Sequence, residues 1–290
     1  MKVIFDAILN GIAYGFVVTL LGLGFSVSLG TSRIVNFAQG EVYMIGAFAG
    51  AGVAAVTSNL WISLLAGMAT GAVANYLLYQ VVFRRLRRRP MIGTLVSGIG
   101  AAFAIEALWG QVFGVQIKPF PNLTTAAHNF NFLGSSLPMS SIVLMVVTLV
   151  LLAISYVVIY RTGFGLRVRA LQDSPAGAEV IGLNVATLQS QVFGIAGALS
   201  GAAGVLVAWQ VGAYQFTMGE TGIGLAFVAA VIGGLGSIPG ALIGGISLGI
   251  IRSVGAVYNS GLTEVYPYML LIIILLVRPA GIFDRQLELS

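Results

Sequence analysis

Apolar runs recur along the whole chain, at residues 7–30, 36–57, 60–82, 92–114, 139–160, 187–211, 223–250 and 265–278. Most approach the roughly 20 residues that a helix needs to cross the hydrocarbon core of a bilayer. A large soluble enzyme also buries apolar helices, but not five or more of near-spanning length. The pattern predicts an all-α, polytopic integral membrane protein with about 8–9 transmembrane segments. One run is interrupted by Gly233-Gly234-Leu235-Gly236-Ser237-Ile238-Pro239-Gly240, whose glycines and proline disfavour a continuous helix. This predicts a broken or re-entrant region near 233–240, with an ordinary short loop as the plainer alternative. Irregular backbone at that depth must be buried in protein or line a cavity.

The polar positions between the runs orient the chain. Arg84-Arg85-Leu86-Arg87-Arg88-Arg89 places five arginines in six positions, and short loops rich in Lys and Arg stay on the cytoplasmic side. Residues 83–90 are therefore expected to form a short basic cytoplasmic loop. Segment 161–185, with Arg161, Arg167 and Arg169, is expected on the same side. Loop 115–138 then lies outside; it carries Pro119, Pro121, Pro138, Asn122, Asn129 and Asn131, with Lys118 as its formal positive charge. The same arithmetic puts 212–222 and the N-terminus outside and, if the 223–250 region crosses twice, the tail after Arg278 inside. Residues 1–290 are expected to form one transmembrane domain.

Composition narrows the class. Only 8% of residues are charged against 58% hydrophobic, at a mean hydropathy of +0.99, which is too little charge for a soluble surface. The basic pI of about 9.7 comes from arginines flanking apolar spans, so the expected surroundings are membrane lipid and no nucleic acid. With no cysteine, disulfides and thiolate metal sites are excluded. No cleaved signal peptide is expected, because the first run continues through glycines without a small-residue cleavage site.

Small residues run through the spans, including Gly11, Gly15 and Gly22 in the first and Gly194, Gly197, Gly201 and Gly204 in the sixth. They offer small-xxx-small surfaces for close helix approach, or alternatively the lining of a pore. Glu41, Glu106 and Arg252 are the ionisable residues expected within or near spans, where charge is costly and paired or functional roles are the default. Glu41 either takes such a role or caps a helix at the interface. Glu106 has three options: a neighbouring helix, Arg252, or a wet cavity. His128, the single histidine, reads as a solvated loop residue. No nucleophile–base pair, metal constellation or GxxxxGK(S/T) loop is present, so neither catalysis nor ATP hydrolysis is expected of this chain.

Within 161–185, Ser174 precedes Pro175, and Gly182 follows Ile181. Proline suits a first helical turn and glycine a helix end, so Ala176–Ile181 is expected to form a short helix. Between two spans, such a helix makes a firm knob for a partner protein.

At this point the residues carry a resemblance. Asn36-Phe37-Ala38-Gln39-Gly40-Glu41 resembles the signature after the first span of branched-chain amino-acid permeases of high-affinity ABC importers. Gly165-Leu166-Arg167-Val168-Arg169-Ala170, continuing through Asp173-Ser174-Pro175 to Gly182-Leu183-Asn184, resembles the coupling segment of that family. Phe227–Ala241 and Arg278-Pro279-Ala280-Gly281-Ile282-Phe283 complete the order. The resemblance is to the permease subunit without a large extra domain, in the bacterial inner membrane. It implies a homologous second permease subunit, two cytoplasmic ABC ATPase subunits that use ATP and Mg, and a periplasmic substrate-binding protein. This chain itself would hold no cofactor.

By the same resemblance, Arg167, Arg169, Asp173, Pro175, Glu179 and Gly182 couple to an ATPase. Asn36, Gln39, Glu41, Glu106, Gly233, Gly234, Gly236, Pro239 and Gly240 are candidates for the translocation path or gate. Two positions depart from the family pattern: Gln39 stands where many members have histidine, and Leu225 where many have lysine. Leucine, isoleucine and valine are the expected substrates; urea, short amides or other amino acids are the alternative. An ATP-independent channel or secondary transporter is the rival of another class.

Overall fold

A computed structural model describes residues 2–86, 91–123, 129–132, 135–234 and 237–278. Helix α1 (Lys2–Ser32) ends as Arg33 takes a positive φ of 55°. After a short non-helical link the chain re-enters as α2 (Gln39–Thr57). Ser58 closes α2 in the left-handed conformation, and Asn59 caps α3 (Leu60–Leu78) by accepting from the Trp61 and Ile62 amides. A π-helical turn (Tyr79–Phe83) and the short α4 (Arg84–Leu86) extend α3 to the arginine cluster; Arg87, Arg88 and Arg89 lie outside the described residues.

Helix α5 (Met91–Phe113) leads to strand β1 (Lys118–Pro119) and the antiparallel pair β2 (Asn129–Phe132) and β3 (Ser135–Pro138). His128 lies outside the described residues. Helices α6 (Met139–Arg161), α7 (Gly163–Asp173), α8 (Pro175–Val180) and α9 (Val185–Val211) follow. Strand β4 (Ala213–Tyr214) precedes α10 (Met218–Gly233), α11 (Ile238–Tyr258) and α12 (Val265–Val277).

Among the described residues, seven helices are long and apolar enough to cross a membrane; α10 and α12 are shorter apolar helices. Their burial separates centre from periphery. The apolar windows of α1 and α9 are 83% and 78% buried within the chain, that of α5 only 11%. Helices α1 and α9 are thus the axis of the bundle, and α5 leaves most of its surface to lipid or a partner. That outward apolar face is stable because the bilayer, unlike water, exacts no cost for it.

Glycine sets how closely these helices meet. A Cβ on Gly197 would strike the Gly71 carbonyl and Asn75, and one on Gly201 the Gly67 carbonyl, so α3 and α9 touch backbone to backbone. Gly11 and Gly15 meet Ile250 and Ile246 on α11 in the same way. Close packing therefore explains these glycines, as small-xxx-small surfaces require.

The two ends of the bundle are distinct. At one end β1 pairs with β4, and Phe120 N donates to Gly212 O at 2.9 Å, tying the loop after α5 to the end of α9. Phe48 packs there against Phe113, Trp109 and Tyr214, with ring centroids 4.8–6.5 Å away. At the other end Tyr79 Oη donates to Gln189 Oε1 at 2.7 Å, Gln189 Nε2 donates to Thr31 O, and Gln172 Nε2 to Thr31 Oγ1. Arg84 and Arg85 and the arginine-bearing segment between α6 and α9 therefore sit at one end, with the end of α1.

Candidate functional site

The arginine-bearing segment between α6 and α9 is a rigid pair of capped helices. Thr162 Oγ1 accepts from Gly165 N at 3.1 Å and opens α7; Ser174 Oγ accepts from Gly177 N at 3.0 Å and opens α8. Pro175 occupies the first turn of α8, where its missing N–H costs nothing. Gly182, at φ 81°, reverses the chain, while Leu183 N returns to Ala178 O at 3.0 Å. Asn184 then caps α9 by accepting from Thr187 N. The expected helix over 176–181 is thus present one residue earlier. The whole helix α7 before it was missed, because Gly163 and Gly165 obscure its helical signal.

One face of this pair is anchored. Val168, Leu171 and Ala178 are buried, and Gly165 lies so close to α6 that a Cβ would strike the Ile159 carbonyl. The other face is open: Arg167, Asp173, Glu179 and Gly182 are exposed, and Pro175 is half-buried. Val180 and Ile181 are 86% and 70% exposed, an apolar tip standing clear of the helices' own packing. Arg169 behaves differently from Arg167. It is half-buried, with its guanidinium carbon 5.5 Å from the Tyr160 ring centroid on α6.

The second group of candidates gathers where α1 breaks into α2. Asn36 Nδ2 donates to Asn75 Oδ1 at 3.1 Å, and Asn75 Nδ2 donates to Phe193 O at 2.7 Å. Gln39 Nε2 donates to Ser200 Oγ at 2.9 Å, and Ser28 Oγ donates to Gln39 Oε1 at 3.2 Å. All are fully buried. Polar side chains thereby join α1, α2, α3 and α9, which is how buried polar groups are accommodated in an apolar bundle. Asn75 and Ser200 were not legible as partners, since 39 and 161 residues separate them from Asn36 and Gln39.

Glu41 is 2% exposed, so it does not sit at an interface as a cap; its carboxylate packs against Gly219 on α10. The Oε2 atom has no hydrogen-bond partner among the described residues. Glu106 is half-buried on α5, and Arg252 pairs with Glu264 instead of with it.

The break in the seventh run is real. Helix α10 ends at Gly233, Gly234 takes φ 88°, and Ser237 Oγ accepts from Gly240 N at 3.1 Å to cap α11. Gly233 and Gly240 lie face to face, since a Cβ on either would strike the backbone of the other. Ala229 lies against Gly22, and Leu242 O faces Thr19 Oγ1. The helices α10 and α11 thus pack along α1 on either side of the break. Pro239 is exposed in the first turn of α11, and Gly236 lies outside the described residues.

A profile of the family described as branched-chain amino acid transport system / permease component matches residues 7–277. The chain belongs to this family. It is a permease subunit, a transporter component and not an enzyme, and a multi-pass protein of the inner membrane. Similar proteins include the high-affinity branched-chain amino acid permease LivH of Escherichia coli, 30% identical over 95% of this chain and 94% of that one. BraD of Pseudomonas aeruginosa, of the same description, is 30% identical over 96% and 95%. The nucleoside ABC transporter permease NupC of Lactococcus lactis is 26% identical over 83% and 82%.

In this permease both departures from the family pattern fall in packed positions. Gln39 is held between Ser28 and Ser200, and Leu225 is buried with Val18, Val228 and Leu248. A lysine at Leu225 would put an ammonium group into an apolar cluster, and the leucine avoids that cost.

Proposed function

We propose that this permease carries leucine, isoleucine and valine across the membrane as part of an ABC importer. Its partners are a homologous second permease, two ATPases using ATP and Mg, and a periplasmic binding protein. The observation that carries the reading is likeness over nearly the full length to LivH and BraD, at higher identity than to the nucleoside permease. The chain crosses the membrane with its long helices, and α10 with the start of α11 forms the re-entrant region near 233–240.

The α7–α8 pair is the coupling element. Val180 and Ile181 enter a groove of the ATPase, flanked by Arg167, Asp173 and Glu179, while the anchored face passes the movement to α6 and α9. Loop 115–138 and the β1–β4 ribbon meet the binding protein. The path follows the Gly233–Gly240 hairpin, past Gly234 at the end of α10 and Pro239 in the first turn of α11; Gly236 is a candidate by its place in the sequence alone. Asn36, Gln39, Glu41 and Glu106 act on that path by holding the helices around it. This chain performs no covalent chemistry; it supplies the path and the lever.

The test is uptake by the complete complex in proteoliposomes with its neighbouring binding protein, using radiolabelled leucine, urea and a polar amino acid in parallel. Leucine uptake requiring both ATP and the binding protein is the expected result. Uptake of urea or the polar amino acid alone would replace the substrate, and uptake without ATP would overturn the transporter class.

A further inference from the structure

A cavity of about 560 Å3 lies apart from both the coupling segment and the polar links around Gln39. It is framed by the outer half of α1, Tyr43 of α2, the end of α9, the start of α10 and the end of α11. Ile117, Ala213 and Thr263 are among its lining residues, which places it at the β1–β4 end of the bundle. Its volume is in the range of small-molecule sites. Its wall is mixed: Val207, Met218 and Ala256 are apolar, whereas Gln210, Thr221 and Ser253 can hydrogen-bond.

Among the described residues that line it, Arg252 is the only charged one. The Arg252 guanidinium carbon stands 4.5 Å from the Tyr14 ring centroid, which holds the group in place. Its Nη2 donates to Glu264 Oε1, and its Nε is buried with no partner among the described residues. A guanidinium offers five N–H donors in a planar fork matched to two carboxylate oxygens. Glu264, 54% exposed, engages one edge of that fork from outside the residues that line the cavity. An ion pair with so exposed a partner is weak and readily exchanged.

We infer that this cavity binds the carboxylate of the transported amino acid, with Arg252 as its anchor. The ligand displaces Glu264 from the guanidinium, and its aliphatic side chain lies along Val207, Met218 and Ala256. This rests on the importer reading above and deepens it by naming the group that selects a carboxylate-bearing solute over a neutral one.

The test uses the complete complex in nanodiscs and a leucine analogue carrying a diazirine in its side chain, with adducts mapped by peptide mass spectrometry. Adducts are expected on the wall segments 207–218 and 252–256. Leucine should compete for them and leucinol, which lacks the carboxylate, should not. R252Q and the double variant R252Q/E264Q should each lose about tenfold of the adduct, and the double variant leaves no unpaired charge to disturb folding. E264Q should keep or increase it, because it removes the competitor for Arg252. Equal loss in E264Q would show a structural brace and overturn the assignment, as would adducts elsewhere, competition by leucinol, or full labelling of R252Q. Wild-type uptake measured alongside separates the two levels. Leucine uptake without a cavity adduct sinks the site alone, whereas no branched-chain uptake sinks the importer reading and the site with it.

Discussion

The Gln39 side-chain amide donates to the Ser200 hydroxyl at 2.9 Å, joining the first turn of α2 to the middle of α9. Both residues are fully buried, and Ser28 holds the other end of the amide. Q39L should therefore remove the donor to the Ser200 hydroxyl, while Ser28 keeps its bond to Phe25 O, and cost about 1 kcal/mol, within the range for polar links between membrane helices. Q39H retains a donor and should cost less. Thermal unfolding of the purified complex in nanodiscs reads the difference; equal stability of Q39L and wild type would remove the link from any structural role.

At Gly197 and Gly71, helices α9 and α3 touch backbone to backbone. G197A forces the helices apart and should destabilise by about 1–3 kcal/mol, the usual penalty for overpacking. G52A is the control, because nothing lies within 4 Å of a Cβ at Gly52. Unfolding measured on both variants should separate them, and equal effects would show that the α3–α9 approach is looser than the geometry states.

Val180 and Ile181 stand clear of the fold, whereas Arg169 is stacked on Tyr160. V180D/I181D should leave expression and stability unchanged and weaken ATPase association at least about tenfold, since about 1.4 kcal/mol of lost contact is one decade in affinity. R167E and D173K should weaken it less. R169E should instead loosen the coupling helices themselves, lowering stability as well as association. Co-purification of the ATPases and a melting curve decide this; full association of V180D/I181D would rule out the tip as the docking surface.

Gly240 faces Gly233 at the turn between α10 and α11. G240A wedges the hairpin open, and substrate-stimulated ATP hydrolysis should uncouple from uptake while the complex still assembles. P239A changes an exposed residue and should cost little. Uptake per ATP hydrolysed is the readout, and normal coupling in G240A would exclude the hairpin from the path.

Several of these positions were legible from local pattern. Ser174, Pro175 and Gly182 announce a short capped helix, because capping and turn chemistry act over three or four residues. The glycines and proline of 233–240 announce a break for the same reason. Helix α7 was not legible, as its two glycines lower local helical preference and the packing of Val168 and Leu171 restores it. For Glu41 the sequence leaves an interface cap and a role within the span both open: its position at the start of a helix is local, but its burial against Gly219 comes from a helix far along the chain.

The sequence by itself determined that this is a polytopic membrane protein, that its arginine-bearing segments share a side, and where the caps of α8 fall. Those properties follow from the length of apolar runs, the placement of arginines and short-range backbone chemistry. Only the tertiary structure decided that α1 and α9 form the axis, that Gln39 meets Ser200, and that Arg252 pairs with Glu264 beside a cavity. Apolar spans look alike to lipid and to one another, so hydropathy cannot rank their neighbours. Close glycine contacts and buried hydrogen bonds make that choice, and they exist only once the helices have met.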